Sequence, residues 1–383
     1  MSKNVYSLRL FDQQLFTFSM QTNGLEGLTV QIHSVDNEHK NLLPLDLTLN
    51  NEGVLNWIKR RIIPKNRAFV QQILQSMGLT INDTKGIIDV CKGLSLNDSY
   101  WIVPIDFEGS FSNYNLYENK FSEVLSLIAY TGTGKSSDVF STSPEFTTHG
   151  MLRKAWRYFQ GDGIYLFKGG TEGFANSGRE PYSEFYASQI AHRMRLHYVP
   201  YDLVKWKNLL ASKCKLFTDI NTAYIPIGHL IHTGGIKACL DFYASISPEA
   251  LEELKSMLVF DALIYNEDRH FGNFGLLIDS RTATIKSAAP IFDNGISLFN
   301  YAMPEDFDNI ASYSHTRANP YGIPYETICQ EIMGQVQRNQ LKRMINFSFT
   351  RHKLYNIPEK HLRAIEKHLN FRVHELLSLR KSR

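Results

Sequence analysis

The stretch Asn266-Glu-Asp-Arg-His-Phe-Gly-Asn273-Phe-Gly-Leu-Leu-Ile278, followed by Asp279-Ser-Arg-Thr282, Thr284-Ile-Lys-Ser287 and finally Ala289-Pro-Ile-Phe-Asp293-Asn-Gly295, decides how this chain is read. Phe274–Ile278 reads as a short strand, Asp279-Ser-Arg-Thr as a polar turn and Thr284–Ser287 as a second strand, so the segment predicts a hairpin between two polar loops. Asp268 lies on the first loop and Asp293 on the second. Upstream, Ser247-Pro-Glu-Ala-Leu-Glu-Glu-Leu254 carries the marks of a helix start, with Ser as N-cap and Pro at the first helical position. Leu251, Leu254, Leu258, Ala262 and Tyr265 then predict one apolar face that ends at the Asn266 loop.

An Asp followed five residues later by Asn, then a hairpin and a second Asp before Asn-Gly, supplies the parts that phosphoryl transfer needs. That reaction asks for an oriented hydroxyl, a triphosphate held in line, and charge neutralised by metal and lysine. Asp268 would accept the hydroxyl proton, and Asn273 and Asp293 would offer oxygens to Mg²⁺. Asp-Asn-Gly by itself is also an ordinary turn signal, so the weight rests on the two motifs in order.

Gly163-Ile-Tyr-Leu-Phe-Lys168 predicts a strand ending in a lysine placed to meet the α- and β-phosphates of ATP. Pro181 opens a helix whose Tyr186, Ile190 and Met194 share a face. Glu184 on that helix is the partner expected for Lys168, with Glu180 as a second candidate and a solvated surface charge as the alternative. His270 is either an orienter of Asp268 or a packed loop residue, and Arg269 is expected to be structural.

The segment Asp268-Arg-His-Phe-Gly-Asn273 resembles the Asp-x-His-x-x-Asn catalytic loop of the HipA-like serine/threonine kinases, and Phe292-Asp293-Asn-Gly resembles their metal-binding segment. The resemblance covers roughly residues 140–375. It implies an α+β, two-lobed protein-kinase-like fold, with Asp268, Asn273, Asp293 and Lys168 as catalytic residues and ATP and Mg²⁺ as cofactors. Two departures stand out from protein kinases at large: His270 follows the Asp, and no Gly-x-Gly-x-x-Gly loop is present. In its place stands Ser141-Thr-Ser-Pro-Glu-Phe-Thr-Thr-His-Gly150, similar in position to the family's phosphate loop. Amides near Thr147, Thr148 and Gly150 would cradle phosphate there, unless the stretch is a solvated linker. The resemblance further implies an inhibitory autophosphorylation in this loop, on Ser141, Ser143, Thr147 or Thr148. Leu216 and Phe217, after the strand near Lys213, are candidates for adenine contact or for core packing.

Further out, Tyr6–Phe11 and Leu28–Ile32 alternate as strands, with Asn23-Gly24 as a turn, and Val54 to Leu96 carries helical spacing capped by Asn82-Asp83 or Ser95. These describe an accessory N-terminal α/β region at 1–105, ahead of an N-lobe at 106–222 and a mainly helical C-lobe at 223–383. Short helices in the first region suit scaffold or a partner surface better than DNA reading. Family members pair with a DNA-binding antitoxin through this portion, which makes an antitoxin a candidate partner. Thr131-Gly-Thr-Gly-Lys-Ser-Ser137 is no Walker A loop, because position 129 is Ala where that motif needs Gly, and it is read as a surface turn.

Composition bounds the rest. The 383 residues are 43% hydrophobic and 21% charged, with 41 basic and 38 acidic side chains and a net charge of +3, so no whole-molecule field points to nucleic acid or membrane. Cys91, Cys214, Cys239 and Cys329 lack any CxxC spacing, which excludes a readable zinc or disulfide framework. The basic tail Arg380, Lys381, Arg383 reads as a frayed helix end. With no signal pattern and no run of about 18 apolar residues, the expected address is bacterial cytoplasm. Rival readings are a phosphoinositide-type lipid kinase, disfavoured by the acidic Tyr301–Asp308 segment, and a nucleotide-binding pseudokinase or regulatory module, disfavoured by the intact Lys168, Asp268, Asn273 and Asp293 set.

Overall fold

The computed structural model describes residues 4–23, 27–134, 142–173 and 176–380. Gly24, the turn beyond Gly134, Ser141, and Lys381 with Arg383 lie outside the described residues. The chain divides into two compact units that interleave along the sequence. One comprises Met1–Phe167, Thr218–Ile225 and Leu277–Lys286; the other comprises Lys168–Phe217, Pro226–Leu276 and Ser287–Arg383.

In the first unit, alternation of apolar and polar side chains produces the antiparallel strands β1 (Val5–Leu10), β2 (Gln13–Asn23) and β3 (Gly27–Val35), joined by β4 (Tyr100–Pro104) in the order β3-β2-β1-β4. Tyr6 faces Phe18 and Leu8 faces Phe16 across β1 and β2, all four buried, so one face of the sheet is the core. Helices α1 (Asn51–Lys59), α2 (Val70–Gln75) and α3 (Thr84–Cys91) follow the helical spacing. Asn50 caps α1 by accepting the Gly53 N–H at 2.7 Å, and Asp83 caps α3 by accepting the Gly86 N–H at 2.8 Å. Ser95 caps no helix; its hydroxyl accepts the Asn97 N–H in a local turn. Helix α4 (Glu123–Thr131) packs on β5 (Lys154–Phe159), which pairs with β6 (Gly163–Lys168).

The hydroxyl-rich stretch before β5 is not a solvated linker. Pro144 to Thr147 are buried because Arg67, fully enclosed, forms an ion pair with Glu145 and donates to the Glu145 and Lys154 carbonyls at 2.5 and 3.0 Å. The other Glu145 oxygen accepts the Trp156 N–H at 2.8 Å. Among the described residues Arg67 Nε stays without a hydrogen bond, but the partners of the two terminal nitrogens and of both Glu145 oxygens make the buried charges tolerable.

In the second unit, α5 (Glu180–Met194) has Pro181 in its first turn and buries Tyr186, Ile190 and Met194. Strands β7 (Tyr201–Trp206) and β8 (Leu209–Lys215) form an antiparallel hairpin. The β9 (Thr222–Pro226), β10 (Gly275–Asp279) and β11 (Thr284–Ala288) strands, ordered β11-β10-β9 and falling mostly in the first unit, contain the hairpin read from the sequence. After α6 (Gly235–Ile246) comes α7 (Pro248–Ile264), capped by Ser247, whose hydroxyl accepts the Ala250 N–H at 3.1 Å. Helix α7 is not amphipathic in the simple sense expected. Met257, Val259, Phe260 and Asp261 are buried along with Leu254, Leu258 and Ala262, because α6 and the helices Tyr325–Ile332, Gln335–Lys342 and Glu359–Ser378 pack around it. From Ser256 to Ile264 every residue is buried, and a stretch enclosed by several helices has no solvent face to mark with polar residues. No described helix is long and apolar enough to cross a membrane.

Candidate active site

Helix α7 ends where Tyr265 turns left-handed and its N–H reaches the Asp261 carbonyl. The next residues are bonded among themselves: the Asn266 side chain donates to Asp261 Oδ1 at 2.9 Å, the Asp268 N–H donates to Asn266 Oδ1 at 3.1 Å, and Asn273 Nδ2 donates to the Asp268 carbonyl at 2.9 Å. The last bond commits the nitrogen of the Asn273 amide and leaves its oxygen as the atom for an incoming group.

The second loop is built around Asp293, whose backbone is left-handed, φ 54°. Such a conformation is uncommon outside glycine and is kept here by its neighbours. The Tyr201 hydroxyl accepts the Asp293 N–H at 3.1 Å, and Glu184 Oε2 accepts the Asn294 N–H at 2.7 Å. Gly295 completes the turn in a tight place: a Cβ there would stand 3.3 Å from Glu180 Cβ and 3.5 Å from Glu184 Oε1.

The Lys168 ammonium, at the end of β6, donates to Glu184 Oε1 at 3.2 Å and also contacts the Asp293 carboxylate. Of the two helix carboxylates considered, the structure brings Glu184 to Lys168. Glu180, equally buried, accepts instead from Thr171 Oγ1 at 2.7 Å and from the Tyr301 hydroxyl at 3.3 Å. Burial alone would lower the Lys168 pKa, but Asp293 and Glu184 outweigh it and raise it, so the lysine stays charged. Burial pushes Glu184 up, against the pull of Lys168 and the Asn294 amide. Asp268 is also raised, first by burial and then by the negative charge of Asp293, with His270, Lys168 and Arg269 opposing. Asp268 thus lies within reach of the charges of Asp293 and Lys168.

Asn273 and Asp293 present an amide oxygen and a carboxylate, hard donors that suit Mg²⁺. Among the described residues no group of three or more His, Cys, Asp or Glu side chains is arranged to hold a metal. Phosphate and water would have to complete the coordination, as is usual for Mg²⁺ at nucleotide sites.

His270 is exposed, its Nε2 4.0 Å from Asp268 Oδ1 and its Nδ1 accepting the Gly272 N–H at 3.0 Å; it is no packed loop residue. Leu216 and Phe217 are half-buried, and Phe217 lies against Phe292 with ring centroids 5.4 Å apart. In the other unit, Thr147 is buried and donates its hydroxyl to the Leu94 carbonyl, while its N–H is spent on Pro144. Ser143 is buried and its hydroxyl accepts the Glu145 N–H. Thr148 is half-buried, accepting from Trp156 Nε1 at 2.9 Å, and Gly150 is exposed with φ 93°.

Reasoning from the sequence missed two participants. Tyr201 carries no signal, being one of several aromatics at strand positions. Asn294 was visible only as the middle of a turn motif, yet its side chain is 2% exposed and bonded.

The fold that carries this cluster is a kinase fold. It is the one seen in HipA of Shewanella oneidensis MR-1, solved with HipB and its operator DNA: 97% of this chain and 99% of that one superpose with a TM-score of 0.55 at 12% sequence identity. The proinflammatory kinase CtkA of Helicobacter pylori is also similar, over 59% of this chain and 93% of its own, with 19% identity and a TM-score of 0.46. No protein-family model matches the chain, and no curated protein matches its sequence.

Proposed function

We propose that this chain is an ATP- and Mg²⁺-dependent protein kinase that phosphorylates Ser or Thr hydroxyls. The observation that carries the reading is the convergence of Lys168, Glu184 and Asp293 in one bonded cluster whose charges reach Asp268. Asp268 would orient the acceptor hydroxyl and take its proton. Lys168, held by Glu184, would donate to the ATP phosphates, leaving Asp293 as it turns toward them. Asn273 and Asp293 would hold Mg²⁺, which when bound neutralises charge developing on the transferred phosphoryl group. Phe217 and Leu216 are the candidates for the adenine side.

Three finer points belong to the same proposal. Growth arrest on expression and a HipB-like protein partner are supported by the likeness to Shewanella HipA, which extends over the N-terminal region as well. Autophosphorylation in the 141–150 loop is the third. Of the candidate hydroxyls Ser143, Thr147 and Thr148, Thr148 is the least buried.

Incubating the full chain with γ-labelled ATP and Mg²⁺, alone and with bacterial lysate, tests the reading. Transfer to protein is expected with the natural sequence and not with Asp268→Asn; absence of transfer in both would leave a nucleotide-binding module as the better account.

A further inference from the structure

Arg269, between the proposed base and the proposed metal ligands in sequence, has no solvent exposure. Its guanidinium reaches three parts of the chain. Nε and Nη2 donate to both oxygens of Asp261 on α7, at 3.0 and 3.1 Å. Nη1 donates to the Asn273 carbonyl at 2.9 Å and to the Phe292 carbonyl at 2.5 Å. Nη2 also donates to Asn294 Oδ1 at 2.6 Å. The backbone carbonyl of Arg269 itself accepts the Tyr321 hydroxyl at 2.5 Å.

We infer that Arg269 is a positioning residue that sets where Asp293 stands relative to Asn273, and so defines the cation site; this rests on the kinase reading above. One nitrogen holds the carbonyls of Asn273 and Phe292 at once, so the two segments that would supply metal oxygens are pinned to a common point. The same guanidinium seizes Asn294 on the far side of Asp293, so the left-handed residue is clamped fore and aft. Asp261 fixes the direction of the fork, and the C-terminal half of α7, buried from Ser256 to Ile264, fixes Asp261. A flat, five-donor group is what such a junction requires, and a lysine could satisfy only part of it.

A purely structural arginine would also be buried and paired, so the test must separate local order at the cation site from global stability. Arg269→Lys in the full chain keeps the charge and loses the fork. In metal-free protein, amide exchange at Asp293 and Asn294 is expected to accelerate by about 10-fold or more, with amides inside α7 changing far less. In calorimetry with ADP, the Mg²⁺ concentration for half-maximal enhancement of binding is expected to rise by about 10- to 100-fold, the range seen when groups that orient metal ligands are lost, while affinity in EDTA is unchanged. Unchanged exchange at Asp293 and Asn294 with an unchanged Mg²⁺ midpoint would overturn the inference, and so would a uniform acceleration across all amides. Should Arg269→Lys fail to fold, Asn294→Ala, which removes one acceptor of the fork, is judged by the same two readouts, and normal values for both would also refute it. If the natural protein shows no Mg²⁺-enhanced ADP binding, it is the kinase reading that fails, and the metal-free exchange comparison still decides the brace.

Discussion

Glu184 accepts the backbone N–H of Asn294 at 2.7 Å through one carboxylate oxygen while the other holds Lys168 at 3.2 Å. The position of α5 is thereby coupled to the turn that carries Asp293. Glu184→Gln keeps the shape and loses the charge that opposes Lys168. We expect the KM for ATP to rise by about 10-fold, with a smaller loss in kcat, because a partner of a buried charge has been neutralised. Steady-state kinetics over a range of ATP checks this; an unchanged KM would separate Glu184 from nucleotide binding.

Asp268→Asn should lower the transfer rate by about 10²- to 10⁴-fold, the usual contribution of a positioned base, with ADP affinity retained. The Asp268 pKa is raised above its ordinary value by burial and by Asp293. In the natural protein the rate should therefore climb with pH through an inflection above the usual aspartate value of about 3.9, since only the ionised carboxylate can take the proton. A pH-rate profile flat from pH 4 to 7 would argue against Asp268 as base.

Asp293→Ala should abolish the Mg²⁺-dependent part of nucleotide binding. It removes the one carboxylate of the proposed cation site and also one of the two acidic contacts of Lys168. Calorimetry with and without Mg²⁺ reads the difference directly. Equal affinities for the variant and the natural protein in Mg²⁺ would refute the assignment.

Arg67→Ala leaves Glu145 enclosed without its cation. Glu145 is already pushed up by burial despite Arg67. We expect a loss of about 3–5 kcal/mol in unfolding free energy, typical of breaking one side of a buried ion pair. Replacing both partners, as Arg67→Met with Glu145→Leu, should cost less, since no unpaired charge remains, although the bonds to the Glu145 and Lys154 carbonyls and from the Trp156 N–H are lost. Urea unfolding of both variants tests the contrast, and equal losses would mean the charges are not what matters.

His368 is buried against Tyr265 and Phe299, with its ring nitrogen 3.1 Å from the Tyr265 hydroxyl, and burial lowers its pKa to about 4. A histidine depressed on folding takes up its proton more readily when unfolded, so the unfolded chain gains below pH 6.5. Its contribution is whole above that value and is lost as pH falls toward 4, by up to about 3 kcal/mol. Stability measured from pH 7 to 4 should fall with a slope that His368→Leu diminishes. An identical slope in the variant would exclude His368 as its source.

The acidic and amide groups of the site could be read in advance because their order and spacing are local: Asp268, Asn273 and Asp293 lie on two loops about a hairpin whose strands alternate plainly. The sequence favours Glu184 over Glu180 as the partner of Lys168, but the two stand one helical turn apart and differ only in what folds against them, so the structure alone separates them. Tyr201 on β7 is 92 residues from Asp293 in sequence, and nothing near it announces the contact. By composition the 144–148 segment suits a phosphate cradle and a solvated linker alike. Its burial depends on Arg67, 78 residues upstream of Glu145.

From the amino-acid order alone came the strands, the capped helices, the lysine at a strand end and the pair of acidic loops, because period, capping and turn chemistry act over a few residues. Which charges are paired and buried, that α7 is enclosed from Ser256 to Ile264, and that Arg269 clasps both loops were decided only by the tertiary structure. Burying a charge is favourable only once its partners have arrived, and those partners come from distant parts of the chain.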